Sequence, residues 1–214
     1  MTQQRTHLYL DGQNFLRRIA EVIRRRGVSD YDVTKVDFWG LLNHVFKDRQ
    51  VDLASIYVAR VRPYEDTKEK SEELMVREAA LKELLERQGF RYVTGGTVRA
   101  RARAGEVTFE EKGVDVTIAV EMTRDMLEGK VSTVILGSSD SDLQPVVKLA
   151  KEKGVKLIYL ASRARYNRGL VATADETIFM EADDIARFYP DTKPTEPEQP
   201  ARTSRRRRRR MNRG

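Results

Sequence analysis

The sequence predicts one α/β domain with a largely parallel central sheet covered by helices on both faces, followed by a basic tail. Three observations predict it. Short apolar or β-branched runs alternate with amphipathic stretches from His7 to Phe188. Several of these runs are apolar throughout, as in strands buried on both faces. The charge also changes abruptly near the C-terminus. Of 40 Lys and Arg in the 214 residues, eight Arg (Arg202, Arg205 to Arg210, Arg213) fall within residues 201–214, which hold no acid. The first 200 residues therefore carry 32 bases against 33 acids, and the formal net charge of +7 belongs to the tail.

The elements follow in order. His7 to Leu10 reads as a buried strand ending at Asp11-Gly12. Phe15, Leu16, Ile19, Val22 and Ile23 recur at helical spacing, with the arginines from Arg17 to Arg26 on the solvated side and Gly27 as the stop. Val36 to Phe46 is a second apolar-striped helix, in which Phe38, Trp39 and Phe46 pack inward. Val51 to Val61 is a strand, Pro63 breaks the chain, and Glu65 to Gln88 is a long charged helix with Leu74, Leu81, Leu84 and Leu85 inward. Phe90 to Val93 is a strand. Arg99, Arg101 and Arg103 then alternate with small residues, which predicts a hairpin arm turning near Ala104-Gly105. Val114 to Leu127 is a helix, Val131 to Leu136 a strand, Leu143 to Lys153 a helix and Val155 to Leu160 a strand. A strand at Thr177 to Met180 and a helix at Asp183 to Phe188 close the body. Pro190, Pro194, Pro197 and Pro200 mark an extended linker before the arginines. No internal repeat is present.

Composition excludes several chemistries. With no Cys there is no disulfide framework, thiolate metal site or Cys nucleophile, and two His (His7, His44) are too few for a His-rich centre. His7 has no evident partner, His44 reads as a surface residue, and the Met residues read as core fillers. No apolar run reaches the ~18 residues of a membrane span, and the N-terminus lacks a signal-peptide pattern. The expected compartment is the cytoplasm.

In such a sheet the ligands sit beyond the carboxyl ends of the strands. The first strand is followed by Asp11-Gly12-Gln13-Asn14, and a later one by Gly137-Ser138-Ser139-Asp140-Ser141-Asp142. Asp115 opens an otherwise apolar helix and shares a face with Ala119, Met122 and Met126, so it points toward the sheet. Helix capping alone would use one such residue per helix start, and each segment offers more than capping requires. Carboxylates gathered at one edge repel unless a cation neutralises them. Hard oxygen donors suit Mg²⁺ or Mn²⁺. Such an ion would activate water for phosphodiester hydrolysis. Asp11 and Asp140 are then expected as direct ligands, Asp115 and Asp142 as direct or water-mediated ones. Asn14 and Ser138 orient water or phosphate, and Lys112 offsets phosphate charge.

The segments LYLDGQNF, EKGVDV and ILGSSDSDLQPVV, in that order, resemble the three motifs of the NYN domain, in its LabA-like branch, within the PIN-like nuclease superfamily. The resemblance runs over about residues 6–185. It implies a PIN-like Rossmannoid three-layer sandwich with an acidic site at the C-terminal edge of the sheet. It also implies a nuclease domain at residues 1–189, with residues 190–214 as linker and tail. The family pattern makes Asp11, Asp115, Asp140 and Asp142 the metal-binding acids, with Asn14 and Ser138 beside them, and implies metal-dependent ribonuclease activity. Where members commonly have Ser-Gly-Asp-Ser-Asp-Phe, this chain has Ser139 for the Gly and Leu143 for the Phe.

A nuclease needs basic surface to hold a polyanion near its acids. Candidates are Arg60 and Arg62, the hairpin residues Arg99, Arg101 and Arg103, and Arg163, Arg165, Tyr166 and Arg168, with Tyr166 placed to stack a base. The expected partner is single-stranded RNA, with the tail adding sequence-independent phosphate contacts. The rival is a non-catalytic RNA-binding or adaptor protein on the same fold. Other strand-Asp enzymes fit poorly. A haloacid-dehalogenase-type site needs an Asp where Gln13 stands, and a Toprim site needs a Glu after an early strand. A nicotinamide site needs a Gly-x-Gly-x-x-Gly that is absent.

Overall fold

The computed structural model describes residues 5–47, 49–61, 68–103, 106–190 and 192, without the side chains of 68–71, 99–103 and 106–110. Arg62, Pro63 and the tail from residue 193 onward lie outside the described residues, as do the side chains of Arg99, Arg101 and Arg103.

Seven strands form one sheet: β1 (Thr6–Asp11), β2 (Leu53–Arg60), β3 (Arg91–Arg103), β4 (Glu106–Lys112), β5 (Thr133–Gly137), β6 (Lys156–Ser162) and β7 (Glu176–Met180). Their spatial order is β4-β3-β2-β1-β5-β6-β7. Every neighbouring pair is parallel except β3 and β4, which form the expected antiparallel hairpin with Arg103 opposite Glu106. The helices are α1 (Gly12–Arg25), α2 (Phe38–Phe46), α3 (Lys68–Arg87), α4 (Val114–Leu127), α5 (Gln144–Glu152), α6 (Arg168–Thr173) and α7 (Ala182–Arg187).

Strand alternation sorts the core into two layers. Leu8, Leu10 and Ile56 face one way and pack with α1, α2, α7 and the C-terminal half of α3. Tyr9, Tyr57, Val134 and Leu136 face the other way and pack with α4, α5 and α6. Leu8, Leu10, Ile56, Val134, Ile135 and Leu136 have no exposed surface. Each such side chain stabilises the fold by about 1.5–3 kcal/mol. This is an α/β Rossmannoid sandwich with the sheet as its middle layer.

The chain winds from β1 outward through β2 and β3 with helices on one face, then returns to β5 and winds the other way with helices on the other. Neighbouring connections therefore diverge between β1 and β5. That is the topological switch point, where the carboxyl ends of the strands leave a crevice. Gly12 allows α1 to start there. A Cβ on Gly12 would lie 2.6 Å from the Tyr57 carbonyl oxygen and 2.5 Å from a Val58 methyl, so α1 leaves β1 against the backbone of β2.

Several expectations are corrected. The helix expected from Val36 starts at Phe38, because Asp37 caps it through the Gly40 amide at 2.8 Å. The Arg165–Phe179 stretch, which shows no clear period, holds the helix α6. Asn167 caps it by accepting from the amides of Gly169 and Leu170. The arginines of α1 are not uniformly solvated. Arg18 and Arg26 are buried, Arg18 near Glu21 at 3.8 Å and Arg26 paired with Asp183. Met75 is 41% exposed and fills no core. His44 does stand near the surface, and its Nε2 lies 3.1 Å from Asp184.

His7, without an evident partner in the sequence, lies inside β1 with Nδ1 3.8 Å from Asp125 of α4. It belongs to a polar cluster beneath α4. Tyr9 donates to Asp125 at 2.7 Å, and Tyr57 donates to Glu121 at 2.5 Å. Arg91 pairs with Glu121 and donates to Ser55 at 2.9 Å and Tyr57 at 3.2 Å. Burial pushes the Tyr9 and Tyr57 phenols well above the ordinary tyrosine range, with the neighbouring carboxylates adding to it. Burial likewise lowers His7, against the opposing pull of Asp125. Tyr9, Tyr57 and Arg91 are satisfied within the cluster, as buried polar groups require, whereas the His7 Nδ1 makes no hydrogen bond among the described residues. The cluster clamps α4 to β1, β2 and β3, and so fixes where α4 begins.

Candidate active site

Asp11 ends β1 and is only 7% exposed. It is the N-cap of α1. Its Oδ1 accepts from the Asn14 amide at 3.0 Å, and its Oδ2 accepts from the Asn14 side chain and from the Ser138 hydroxyl at 2.9 Å. One Asp11 side chain therefore serves both as a cap and as a wall of the site. Ser138, buried just after β5, bridges the switch point, since its Oγ also accepts from the Asp140 amide at 3.2 Å. Asp140 caps the short 3-10 turn Ser141–Leu143 by accepting from the Asp142 amide at 3.0 Å. Ser139 donates to the Asn14 side-chain oxygen at 3.3 Å, and its carbonyl accepts from Asn167 at 3.3 Å. The hydroxyl present where related motifs carry Gly thus ties the β5 loop to α1.

Asp115 stands in the first turn of α4, which starts from Gly113 in the left-handed region at φ 89°. Asp11, Asn14, Lys112, Asp115 and Asp140 line one open cleft of about 400 Å³. A further acid, Glu111 of β4, lines it too, and sequence reasoning misses it although it opens the EKGVDV segment. Glu111 sits opposite Val98 in the hairpin register, which brings β4 alongside the sheet edge rather than out into solvent. Its carboxyl is pushed up to about 7, first by burial and then by the negative charges of Asp11 and Asp115. The cleft thus holds more carboxylate than its surroundings neutralise, with Lys112 exposed on the rim.

Asp142 is placed elsewhere. It is exposed and lines a groove between α4 and α5 together with Asp115. Among the described residues, no three acids stand close enough to hold one ion as the side chains lie. The donor chemistry still fits a hard divalent cation. Asp11, Glu111, Asp115 and Asp140 offer only oxygen donors, and the raised Glu111 carboxyl marks a place where positive charge would be stabilised.

The basic candidates separate. Arg60 ends β2 and is exposed, and Arg165 and Arg168 follow β6 and are exposed, all at the carboxyl edge of the sheet. Arg163 is engaged structurally: it donates to Glu181 at 2.9 Å and stacks 3.5 Å over the Phe179 ring. Tyr166 packs edge-on against Phe179 at 5.4 Å between centroids and remains 41% exposed. Arg165 also borders a small second cavity, of about 50 Å³, with Arg17, Arg18 and Glu21 of α1; Asn14 and Ser138 form its wall toward the acids.

The NYN domain model matches residues 5–181, most of the chain. This chain belongs to the NYN domain family. The motif segments and the switch-point site fall inside that match. The NYN domain places the chain in the PIN-like nuclease superfamily, whose members generally act as hydrolases on nucleic acids and typically use divalent metals. Among solved structures, a protein of unknown function from Vibrio parahaemolyticus aligns with 86% of this chain and 96% of its own, at 20% identity and a TM-score of 0.50. That likeness shows a shared fold. MurG of Acinetobacter baumannii aligns with 90% of this chain and 44% of its own, at 12% identity and a TM-score of 0.37, which carries no argument. No curated protein matches in sequence. Among the described residues no helix is long and apolar enough to cross a membrane.

Proposed function

We propose that this NYN domain is a metal-dependent ribonuclease of the LabA-like branch, acting in the cytoplasm on single-stranded RNA. The observation that supports it most is the cleft at the switch point, where Asp11, Glu111, Asp115 and Asp140 face one space in a nuclease-superfamily fold. Asp11, Asp115 and Asp140 would hold Mg²⁺ or Mn²⁺, with Asp142 reaching it through water and Glu111 as a fourth carboxylate. Such an ion supplies charge neutralisation at a phosphate and acidifies water, which is the chemistry phosphodiester hydrolysis needs.

The chain's own groups do the rest. Asn14 and Ser138 hold Asp11 in a single orientation through its Oδ2, at the wall of the cleft that it lines. Lys112, on the rim, offsets phosphate charge. Arg60, Arg165 and Arg168 flank the carboxyl edge and hold phosphates away from the acids. Arg62, Arg99, Arg101 and Arg103 are proposed as further phosphate contacts. Arg163 holds the β6–α6 loop through Phe179 and Glu181, and so positions Tyr166 for a base. Residues 1–189 are the catalytic domain, and the arginine-rich tail adds sequence-independent phosphate contacts.

Cleavage of a labelled single-stranded RNA tests this. Scission is expected with Mg²⁺ or Mn²⁺ and none with chelator. Chain that binds the RNA but cuts under neither ion is instead an RNA-binding adaptor.

A further inference from the structure

We propose that the small cavity between α1 and the carboxyl ends of β5 and β6 binds the terminal phosphate monoester of an RNA strand. It deepens the ribonuclease reading and rests on it for the strand being RNA. The helix α1 contributes Arg17, Arg18 and Glu21, the end of β6 contributes Ser162, and the turn after β6 contributes Arg165. The lining therefore carries three positive charges against one negative. Glu21 is divided between two of the arginines, at 3.9 Å from Arg17 and 3.8 Å from Arg18, both longer than a hydrogen bond. Arg18 is 9% exposed, and Phe15, Leu160 and Met180 supply apolar wall. In such surroundings the pull of a guanidinium on an anion is stronger than in water.

A polar group in this wall lacks a partner. The Ser162 Oγ is buried and makes no hydrogen bond among the described residues, which is rare for a buried hydroxyl. An anion's oxygen would satisfy it. The same turn sets Arg165 beside it, since the Arg165 amide donates to the Ser162 carbonyl at 3.0 Å, and the Arg165 side chain is exposed. The cavity volume is less than the share of two waters in the liquid, about 30 Å³ each, which suits a tetrahedral oxyanion better than a nucleobase. Charge selects a monoester over an internal linkage. A monoester carries about −1.5 to −2 charges at pH 7 and three terminal oxygens, which matches the net charge of +2 on the lining. A diester carries one charge and must continue on both sides. Asn14 lines both this cavity and the acidic cleft, so a phosphate held here brings the end of the strand beside the acids.

Fluorescence anisotropy of a short, internally labelled single-stranded RNA in chelator reads binding without cleavage. The RNA is prepared with a 5′-phosphate, with a 3′-phosphate, and with hydroxyls at both ends. The full chain is expected to bind one phosphate-ended form about 10-fold more tightly than the hydroxyl-ended form, and the preferred form gives the polarity of the strand. Arg165→Gln is expected to abolish that preference and Ser162→Ala to reduce it. Arg168→Gln lies outside the cavity and is expected to weaken all three forms alike, leaving the preference intact. Equal binding of the three forms by the parent chain overturns the proposal. So does a preference that persists unchanged in both Arg165→Gln and Ser162→Ala, which assigns it to the general attraction of the arginine tail. The ribonuclease reading fails separately: a chain that shows the preference but cuts under neither Mg²⁺ nor Mn²⁺ keeps the cavity and loses the catalysis, and one that cuts without the preference does the reverse.

Discussion

Asp11 has two tasks that substitution can separate. It caps α1, and it presents a negative charge to the cleft. Asn caps helices about as well as Asp, so Asp11→Asn is expected to change stability by less than about 1 kcal/mol while lowering cleavage by about 100-fold or more. Equal loss of RNA binding would show that the variant had lost more than charge. Glu111 gives a pH signature. Its folded pKa of about 7 lies above the ordinary carboxylate value. Between those values the folded chain keeps a proton that the unfolded chain has released, so stability falls as pH rises through that window. Thermal midpoints in chelator are expected to drop between pH 5 and pH 8, and Glu111→Gln is expected to remove the drop. An unchanged drop in the variant would contradict the assignment. Asp11, Asp115 and Asp140 are legible in the sequence because each follows a strand or opens a helix at the sheet's carboxyl edge. Glu111 is not. It sits within a strand, and only the hairpin register turns it toward the acids. His7 and Asp125 are illegible for a similar reason: they are 118 positions apart and meet only when α4 docks on β1.

Among the elements, α4 carries the most consequence, because its first turn sets Asp115 and its last turns meet the sheet through Asp125 and Glu121. Removing Glu121 leaves Arg91 and Tyr57 without their shared acceptor. Glu121→Ala is expected to cost about 1–3 kcal/mol, a fall in Tm of roughly 2–4 °C per kcal/mol for a domain of this size. An unchanged midpoint would mean that the cluster does not clamp the helix. Gly12→Ala tests the junction of β1 and α1. Its methyl would meet backbone, which cannot rotate away, so a loss of about 1–3 kcal/mol is expected. The strands are readable from their apolar runs. Helix α6 is not, since six residues with Gly169 and Thr173 show little periodicity and depend on Asn167 for a start. The buried Arg26 is hidden for another reason: an arginine's period on a helix does not reveal an acid such as Asp183 waiting on a neighbouring element.

At the scale of the whole molecule, charge is divided by task. Asp11, Glu111, Asp115 and Asp140 line one cleft at the switch point, exposed arginines flank it, and the excess positive charge lies in the tail. Removing residues 193–214 is expected to weaken RNA binding and to flatten its salt dependence, by a log–log slope of about 0.7 for each phosphate that the tail no longer neutralises. Cleavage at saturating RNA is expected to persist; its loss would place the tail in the chemistry itself. The central claim is that Asp11 and Asp140 belong to one cation site. Titrating Mn²⁺ into the full chain, Asp11→Asn and Asp140→Asn by calorimetry tests it most directly. Binding in the parent chain that is abolished in both variants is predicted. Binding of equal strength in all three would contradict it.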